Sequence, residues 1–491
     1  MANSDLQTII GQIQEAASDL RSEAVSHRMQ RVTNTVASEL RGGILGINAI
    51  LDDSVSNKEL GTVFDLWSPS PLNAMRANLA RAYGVMESVP GTSGTTALNV
   101  PAVITLAREG EEIGICRDAH ISIPAAIVLS GARPSYIEPL YDEELGILLP
   151  PTAGEVDEFL TAHPRVKALW LTLPTYYGVQ GDIDGIVQVC REHGVRIAID
   201  EAHGPHLKLL GGLSFPRSAE AAGADLITQS THKVMSALNQ GSIIHFNDSE
   251  LLRRYEEMQS LGFVSTSFSF LILSSIEHAV NQMLTCGKEI WAPAVRLARR
   301  LRTAAAAMPG VRVLDESAVD GARVTGIDPT RVTLNVAGTG ISGFDIEERI
   351  FRMGGVTEMA TPEVVLFLVS PGISRTQIDA TIEALQYALH NAPGCVQAQL
   401  FAPPPIPRRV MTPRQATMHS RRERVRVRNA VGRVSAETIS CYPPGQAIVV
   451  AGEEISKEAV DYLSRAVSAG AHLKRVRDDN FRTWEVVCEY E

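Results

Sequence analysis

LITQSTHK, residues 226–233, is an apolar run that ends in two hydroxyl groups, an imidazole and a lysine. Its first half predicts a buried strand. A lysine at the end of such a strand is costly to desolvate unless a partner or a covalent bond uses its amine. The amine of Lys233 can form a Schiff base with an aldehyde, whereas the alternative is a lysine that extends to solvent at the start of a helix.

A second apolar run lies upstream, in IAIDEAHG at residues 197–204, and places two carboxylates and a histidine directly after a predicted strand. Asp200 at this position could be a metal ligand, a helix cap, or a charge that keeps a heterocyclic nitrogen protonated. Pyridoxal phosphate chemistry needs the third role, because a protonated pyridine ring is the electron sink for a substrate carbanion. The residues alone leave the capping interpretation open.

Two further segments carry side chains suited to a cofactor. PGTSGTT, residues 90–96, precedes a helical stretch. Glycines and hydroxyls at the start of a helix present N–H groups to an anion such as phosphate, although similar clusters also form ordinary turns. RDAH, residues 117–120, follows another predicted strand. His120 could stack on a planar cofactor or be a structural histidine.

Short apolar runs alternate with helical stretches between residues 79 and 398. Strands that alternate with helices form mostly parallel sheets with helices on both faces, so the sequence predicts an α/β fold. Ligands of such sheets collect at the carboxyl ends of the strands, where the residues above lie. The predicted strands cover residues 113–116, 135–137, 168–173, 196–200, 226–229 and 242–246, followed by 311–314, 331–336 and 364–369.

The composition of the chain disfavours several classes of function. The chain has 491 residues, with 45 Lys and Arg against 56 Asp and Glu, and its net charge of −11 disfavours a broad nucleic-acid surface. The six cysteines are scattered without a C-x-x-C pair, so we expect reduced thiols and no metal site. The N-terminus lacks the unbroken apolar stretch of a signal peptide, and no window approaches a membrane span. We expect a soluble cytoplasmic protein without nucleic-acid or membrane partners.

The order of these motifs resembles that of the ornithine/lysine/arginine decarboxylase family. The resemblance implies the aspartate-aminotransferase fold, fold type I of the pyridoxal-phosphate enzymes, with a small α+β domain and an extra C-terminal α+β domain. It covers the chain from about Arg76 to the end. The matching segments are GTSGTT, RDAHIS, PTYYGV at 174–179, IDEAHGPH at 199–206 and STHK, followed by GRVSAET at 432–438, CYPPG at 441–445 and AGEEIS at 451–456.

The sequence also predicts a division into domains, in which the resemblance gives the type of the C-terminal one. FAPPPIPRR, residues 401–409, marks the clearest boundary, because its prolines cannot continue a helix and favour an extended connector. The segments are an N-terminal helical segment at 1–75, with apolar residues at helical spacing over 6–40, a large cofactor-binding domain at 76–290, a small domain at 291–398 that starts with a long helix, a proline-rich linker at 399–416 and a C-terminal decarboxylase-type domain at 417–491.

Position by position, the resemblance implies roles for individual residues. Lys233 would hold pyridoxal 5'-phosphate as a Schiff base, Asp200 would pair with the pyridine nitrogen, and His120 would stack on the ring. His232 would contact cofactor and substrate and take part in proton transfer. The remaining predicted contacts are Ser93, Gly94, Thr95 and Ser230 on the phosphate, Ala202 on the ring face opposite His120, His203 near the ring oxygen, and Tyr176 and Tyr177 at the substrate entrance.

The implied reaction is decarboxylation of a basic amino acid, arginine ahead of lysine or ornithine, to carbon dioxide and a polyamine precursor, in at least a homodimer. Glu358 and Glu437 are candidates for binding the distal cation, or are solvated carboxylates. Chemistry at the Cα–H bond of an arginine-like amino acid, such as deamination, oxidation, cyclisation or transamination, is the alternative. It usually requires an arginine that holds the substrate carboxylate in the ring plane. Arg375 could do so or be an ordinary surface residue.

Several positions depart from the family pattern and keep that alternative open. RDAHIS has Ile121 where the family usually has lysine, and the segment before the glycine-rich loop lacks the Pro-Gly-His-Lys element. CYPPG continues with Gln446-Ala447 in place of Gly-Ile-Pro. These positions border the expected substrate mouth more than the cofactor. A third hypothesis, a catalytically silent scaffold, conflicts with the intact lysine, aspartate and histidine set.

Overall fold

A computed structural model describes residues 71–260, 268–390, 401–442, 445–474 and 480–488. The helical segment predicted over residues 6–40 lies outside these ranges. The helices are α1 Pro71–Tyr83, α2 Gly94–Leu106, α3 Ser122–Ser130, α4 Ala153–Ala162, α5 Ile183–Glu192, α6 Ala219–Ala222, α7 Thr231–Val234, α8 Ser249–Ser260, α9 Phe270–Ala306, α10 Gly343–Arg352, α11 Arg375–Leu389, α12 Pro413–Thr417 and α13 Lys457–Ser468.

Nine of the twenty strands that the structure describes coincide with the nine predicted runs, and the other eleven were not predicted. The first ten are β1 Glu87–Gly91, β2 Glu112–Cys116, β3 Arg133–Ile137, β4 Leu140–Asp142, β5 Ile147–Leu149, β6 Val166–Thr172, β7 Val179–Gln180, β8 Arg196–Asp200, β9 Leu226–Gln229 and β10 Ser242–Phe246. The others are β11 Arg312–Val313, β12 Gly326–Ile327, β13 Arg331–Asn335, β14 Met359–Ala360, β15 Val364–Leu368, β16 Arg422–Arg426, β17 Ile439–Tyr442, β18 Gln446–Val449, β19 His472–Lys474 and β20 Thr483–Val487.

The central element is a seven-stranded sheet in the order β1-β10-β9-β8-β6-β2-β3. Strand β2 pairs in parallel with β3 and β6. Strand β10 pairs antiparallel with both β1 and β9. Between β9 and β10 the connection contains only the short helix α7, which does not provide the crossover that a parallel pair needs. Strands β9 (LITQ) and β10 (SIIHF) are buried at every position, so their polar residues, such as Gln229 and His245, lie in the interior beside the apolar ones.

Tertiary contacts divide the described residues into two compact units. The first contains the residues up to Thr105, with Ile199–Gly211 and Ser218–Lys288. The second contains Leu106–Ala198, Gly212–Arg217 and the residues from Glu289 onward. The division into five sequence segments stays a prediction.

Helix α9 starts well before the position that the sequence suggests for the long helix of the small domain. The change to an Ala/Arg/Leu-rich texture places its start near Trp291, whereas the helix runs over Phe270–Ala306. Pro293 lies inside it without ending it. The change in composition misplaced the start of the helix, because the residues before Trp291 also have helical periodicity and contain no Gly-Pro or Asn-Gly breaker.

Five smaller sheets lie in the second unit, among the described residues. A four-stranded sheet, in the order β11-β13-β15-β14, packs with helices α10 and α11 around buried aliphatic side chains such as Leu334, Ile346 and Leu385. Residues 401–408 adopt neither helix nor strand. After them, strands β16–β20 and helix α13 surround a core that includes the fully buried Trp484. Within the described ranges, each helix is too short or too polar to cross a lipid bilayer.

Candidate active site

Lys233 lies in the first unit, in the short helix α7 that follows β9. Its side chain is exposed, and its Nζ is 3.1 Å from Nε2 of His203. A protonated amine donates to this nitrogen, since an ammonium group has no lone pair. His203 is itself buried, with 6% of its surface exposed. The lysine that the sequence singles out is therefore accessible and adjacent to the histidine predicted to lie near the ring oxygen.

Asp200 ends strand β8 and is almost fully buried, with 2% of its surface exposed. Its Oδ2 accepts a hydrogen bond from Nδ2 of Asn99 at 3.1 Å, and its Oδ1 accepts one from the backbone N–H of Ala202 at 3.1 Å. Neutral donors fix the orientation of the carboxylate without neutralising its charge. A buried carboxylate held in this way is suited to attract a proton on a heterocyclic nitrogen.

The predicted phosphate-binding residues meet at the start of helix α2. Oγ1 of Thr95 is 2.6 Å from Oγ of Ser230, so the glycine-rich loop and the lysine loop are in contact. Gly94 begins the helix at a φ of +78°, a left-handed conformation that favours glycine. Ser93, half-buried, directly precedes it. Hydroxyls and a helix N-terminus at one place form a suitable donor set for a phosphate group.

Thr231 adds a further donor that the motif comparison does not assign. Its side chain is buried, and among the described residues its Oγ1 has no hydrogen-bond partner. An orphaned buried hydroxyl is costly unless a ligand or water completes it. Thr231 directly follows Ser230, whose hydroxyl contacts that of Thr95. Together with Asp200 and Lys233, these groups fit a phosphate-bearing aromatic aldehyde with a basic ring nitrogen.

His232 is held in one tautomer by the backbone. Its Nδ1 donates to the carbonyl oxygen of Gly241 at 2.7 Å, which leaves Nε2 with a lone pair. Burial lowers the pKa of His232 and the charge of Lys233 lowers it further, while the hydrogen bond to Gly241 opposes them. The ring is consequently neutral near pH 7, and Nε2 is the atom that can take up and return a proton.

A buried polar cluster behind Asp200 was not predicted from the sequence. Glu201, fully buried, accepts from Nε2 of Gln229 on Oε2 at 2.6 Å and from the backbone N–H of Ala219 on Oε1 at 2.9 Å. Nε2 of Gln229 also donates to Oε1 of the buried Glu220. Glu201 directly follows Asp200, and Gln229 directly precedes Ser230. The cluster therefore connects the strand end that holds the aspartate to the strand end that leads to the lysine.

The ionisation of this cluster follows from its burial. Desolvation raises the pKa of Glu201 well above its usual range, and the charge of Glu220 raises it further. Desolvation also raises the pKa of Glu220. Burial lowers the pKa of His245 to about 3, so this histidine is neutral. Its Nε2 donates to Oε1 of Gln229 at 3.1 Å, and its Nδ1 accepts from Oγ of Ser88 at 2.8 Å.

His120 lies in the second unit, between strand β2 and helix α3. Its side chain is exposed, and its Nδ1 accepts from the backbone N–H of Ser122 at 3.2 Å and is 2.9 Å from the Ser122 hydroxyl. The histidine therefore serves as a side-chain partner for the first turn of the helix. This geometry fits a structural histidine, and it also fits a histidine whose exposed ring stacks on a cofactor.

The predicted substrate residues also belong to the second unit, and the structure separates their environments. The Tyr176 hydroxyl donates to Oε1 of the exposed Glu358 at 2.9 Å. Tyr177 is buried, and its ring packs in an apolar cluster. Glu437 uses Oε1 to accept the backbone N–H of Glu485 at 2.9 Å. Glu358 thus presents an accessible carboxylate, whereas Glu437 stabilises the backbone of the C-terminal sheet.

Arg375 is the first residue of helix α11, after the N-cap Ser374. Its side chain is 75% exposed and lies 3.7 Å from Asp379 on the same helix. This is the geometry of an ordinary surface ion pair. Within the described ranges, no group of three or more His, Cys, Asp or Glu side chains is arranged to hold a metal ion.

Solved structures share this fold. The constitutive lysine decarboxylase of Escherichia coli aligns with a TM-score of 0.74 at 22% identity, over 96% of this chain and 79% of that one. The ureidoglycine-glyoxylate aminotransferase of Bacillus subtilis aligns with a TM-score of 0.53 at 12% identity, over 67% of this chain and 87% of that one. These likenesses confirm the predicted fold type I architecture with its mainly parallel sheet.

Sequence comparisons give the family. The chain is 31% identical over 452 residues to the arginine decarboxylase of Halalkalibacterium halodurans, an alignment that covers 91% of each protein. The family model of the Orn/Lys/Arg decarboxylase major domain matches residues 44–377, and that of the Orn/Lys/Arg decarboxylase C-terminal domain matches residues 395–473. The predicted family is confirmed: the chain belongs to the Orn/Lys/Arg decarboxylases.

Proposed function

We propose that this chain removes the α-carboxylate of arginine as carbon dioxide, with pyridoxal 5'-phosphate bound at Lys233. Its class, a pyridoxal-phosphate-dependent decarboxylase of basic amino acids, follows from its family. The observation that carries the site assignment is the grouping of Lys233, His203, Asp200, Thr95 and Ser230 in one compact unit. The choice of arginine is supported by the relative that is 31% identical over 91% of the chain, an arginine decarboxylase.

Each side chain of the site has a physical task. When bound, the cofactor supplies an aldehyde for amines and a protonated ring that accepts electrons from the substrate α-carbon. The Asp200 carboxylate would hold the proton on the ring nitrogen. Hydroxyls of Thr95, Ser230 and Thr231 would bind the phosphate. His232 can carry a proton on Nε2 to or from the α-carbon, because its Nδ1 is committed to Gly241.

Ala202, His203 and His120 would enclose the ring. Ala202 is buried and has a small side chain, which leaves room for a planar group against it. His203 lies within hydrogen-bond distance of Lys233. His120 would cover the opposite face of the ring, where an aromatic side chain gains by offset stacking.

Incubation of the purified, pyridoxal-phosphate-loaded protein with arginine, lysine and ornithine tests the proposed reaction. We expect one equivalent of carbon dioxide and one of the corresponding amine from arginine, at a higher kcat/KM than from the other two. Mass analysis of the products distinguishes loss of carbon dioxide from loss of ammonia or water. Release of ammonia from a product that keeps its carboxylate would contradict decarboxylation and would indicate chemistry at the Cα–H bond. Arg375, the candidate carboxylate grip for that chemistry, is paired with Asp379.

Glu358 is the proposed receptor for the distal cation of the substrate, supported by Tyr176. The substitution Glu358→Gln removes the negative charge and keeps the shape. We expect KM for arginine to rise about tenfold, since a hydrogen bond to a charged group contributes about 1.5 kcal/mol. Steady-state kinetics with Glu348→Gln, an exposed carboxylate paired with Arg352 on helix α10, is the matched control.

The competing candidate is tested by Glu437→Gln. Its amide oxygen can still accept the Glu485 N–H, so the backbone contact survives while the charge is lost. If KM rises in Glu437→Gln and not in Glu358→Gln, the distal cation binds at Glu437 in the C-terminal domain and not at Glu358.

We also propose that the chain acts as a cytoplasmic homodimer. The cytoplasmic location is supported by Cys116, Cys190 and Cys441, which are buried free thiols as in proteins of reducing compartments, and the homodimer is supported by the family resemblance. Light scattering coupled to size-exclusion chromatography measures the assembly state; a monomer that remains fully active would contradict the dimer.

A further inference from the structure

Arg117, three residues before His120, forms a buried ion pair with Glu453 near the C-terminus. Its Nη1 donates to Oε1 at 2.8 Å and its Nη2 to Oε2 at 2.7 Å, a bidentate pair between residues 336 positions apart. The two side chains are only 5% and 2% exposed. Two parallel hydrogen bonds fix both the distance and the plane of the guanidinium.

Further contacts lock both partners. Nη2 of Arg117 also donates to the carbonyl oxygen of Ile448 at 3.2 Å, and the guanidinium lies 4.4 Å above the Tyr136 ring. Oε2 of Glu453 accepts the backbone N–H of Val450 at 2.8 Å. A buried pair with these additional partners resists displacement, because breaking it leaves an uncompensated charge.

Strand β18, which contains Ile448, also contacts His120. His120 forms an isolated antiparallel bridge with Gln446, the first residue of β18. The turn that carries His120 is thus held at both ends: by Glu453 and Ile448 through Arg117, and by Gln446 through its own backbone. The imidazole, by contrast, is exposed and is oriented by Ser122. Its position therefore depends on where the C-terminal segment holds the turn.

We propose that Arg117 and Glu453 are positioning residues through which the C-terminal domain sets the place of His120 and thereby the affinity for pyridoxal phosphate. This inference rests on the proposed function, since it takes His120 as the ring-stacking residue. The role is specific to the bidentate fork: a lysine at position 117 keeps the charge but cannot hold both carboxylate oxygens in one plane.

The test is a double-mutant cycle with cofactor affinity as its readout. Pyridoxal phosphate is titrated into cofactor-free protein and followed by absorbance, for Arg117→Lys, His120→Ala and the double variant. Arg117→Lys and His120→Ala are each expected to weaken binding roughly tenfold, the scale on which orienting partners act. In the His120→Ala background, Arg117→Lys should add less than about twofold, because the group that it positions is gone.

Arg408→Lys is the matched control. Arg408 pairs with Glu454, the neighbour of Glu453, at 2.6 Å, but these side chains are 75% and 36% exposed. We expect its cofactor affinity to stay within about twofold of the wild-type value. Comparing the cofactor affinities of Glu453→Gln and Glu454→Gln repeats this test on the carboxylate partners of the two ion pairs. Thermal unfolding of each cofactor-free variant reports its folding; if Glu453→Gln fails to fold, the charge-conserving Arg117→Lys decides.

The outcomes separate this inference from the proposed function. If Arg117→Lys weakens cofactor binding by the same factor in the wild-type and His120→Ala backgrounds, the positioning role is overturned. An Arg117→Lys variant that binds the cofactor like the wild type would overturn it as well. A His120→Ala variant with unchanged affinity would overturn it through the stacking assignment. A wild-type chain that binds no pyridoxal phosphate would overturn the proposed function and this inference with it.

Discussion

Replacing Lys233 with alanine is expected to give a colourless protein that no longer decarboxylates arginine. The wild type loaded with pyridoxal phosphate should absorb visible light and, after borohydride reduction, carry the cofactor mass on the peptide that contains Lys233. The variant should show neither property, and its kcat should fall by roughly 10³-fold or more, as when other covalent catalytic groups are removed.

The matched control is Lys457→Ala. Lys457 is an exposed lysine paired with Asp461 on helix α13, so its loss should change neither colour nor rate. Retention of the borohydride-fixed cofactor by Lys233→Ala would place the covalent link at another lysine and would refute the site assignment. Normal thermal unfolding of the cofactor-free variant ensures that lost colour reports chemistry rather than lost folding.

The second large effect is expected at Glu201, in the cluster behind Asp200. Glu201→Ala leaves one of the two N–H groups on Nε2 of Gln229 and the backbone N–H of Ala219 without their acceptor in a fully buried place, while the other amide N–H keeps Glu220. Two unsatisfied donors lower the free energy of unfolding by about 3 kcal/mol. Chemical unfolding of the cofactor-free protein measures this loss. Glu192→Ala, at the exposed end of helix α5, is the control; an equal loss there would contradict the specific role of the cluster.

The cluster also predicts a dependence of stability on pH. Burial, followed by the charge of Glu220, raises the pKa of Glu201, so the folded state binds more protons than the unfolded chain above pH of about 4.3. Its stabilising contribution is present below that pH and is lost as the pH rises through the raised folded pKa. Glu220→Gln removes the neighbouring charge and should flatten the decline. A variant whose stability falls with pH as steeply as that of the wild type would contradict this account.

The parts of the fold that depend on local sequence were predictable. The ends of β8, β9 and β10 coincide with the predicted runs 196–200, 226–229 and 242–246, because each is a short apolar run bounded by polar residues. The lysine, the aspartate and the glycine-rich loop were identifiable for the same reason, since each follows or precedes such a run. The structure places Asp200, Lys233 and Thr95 in one unit.

Features that depend on distant partners were not predictable. Glu220 belongs to the four-residue helix α6, and nothing in its local sequence indicates that its side chain is buried against Gln229. Glu201 was visible as a second carboxylate after a strand, but its task depends on that same partner. The contact of Arg117 with Glu453 joins two recognisable motifs, and only the three-dimensional structure shows that they meet.

That ion pair has a consequence for how the protein is made. Arg117 leaves the ribosome long before Glu453, and at about 5–20 residues per second the intervening 336 residues require roughly 17–70 s of synthesis. During that interval the nascent chain holds a guanidinium whose buried counter-charge, Glu453, does not yet exist. The turn that follows β2 therefore acquires its final packing only near the end of translation, and a polypeptide released earlier would lack the carboxylate that completes it.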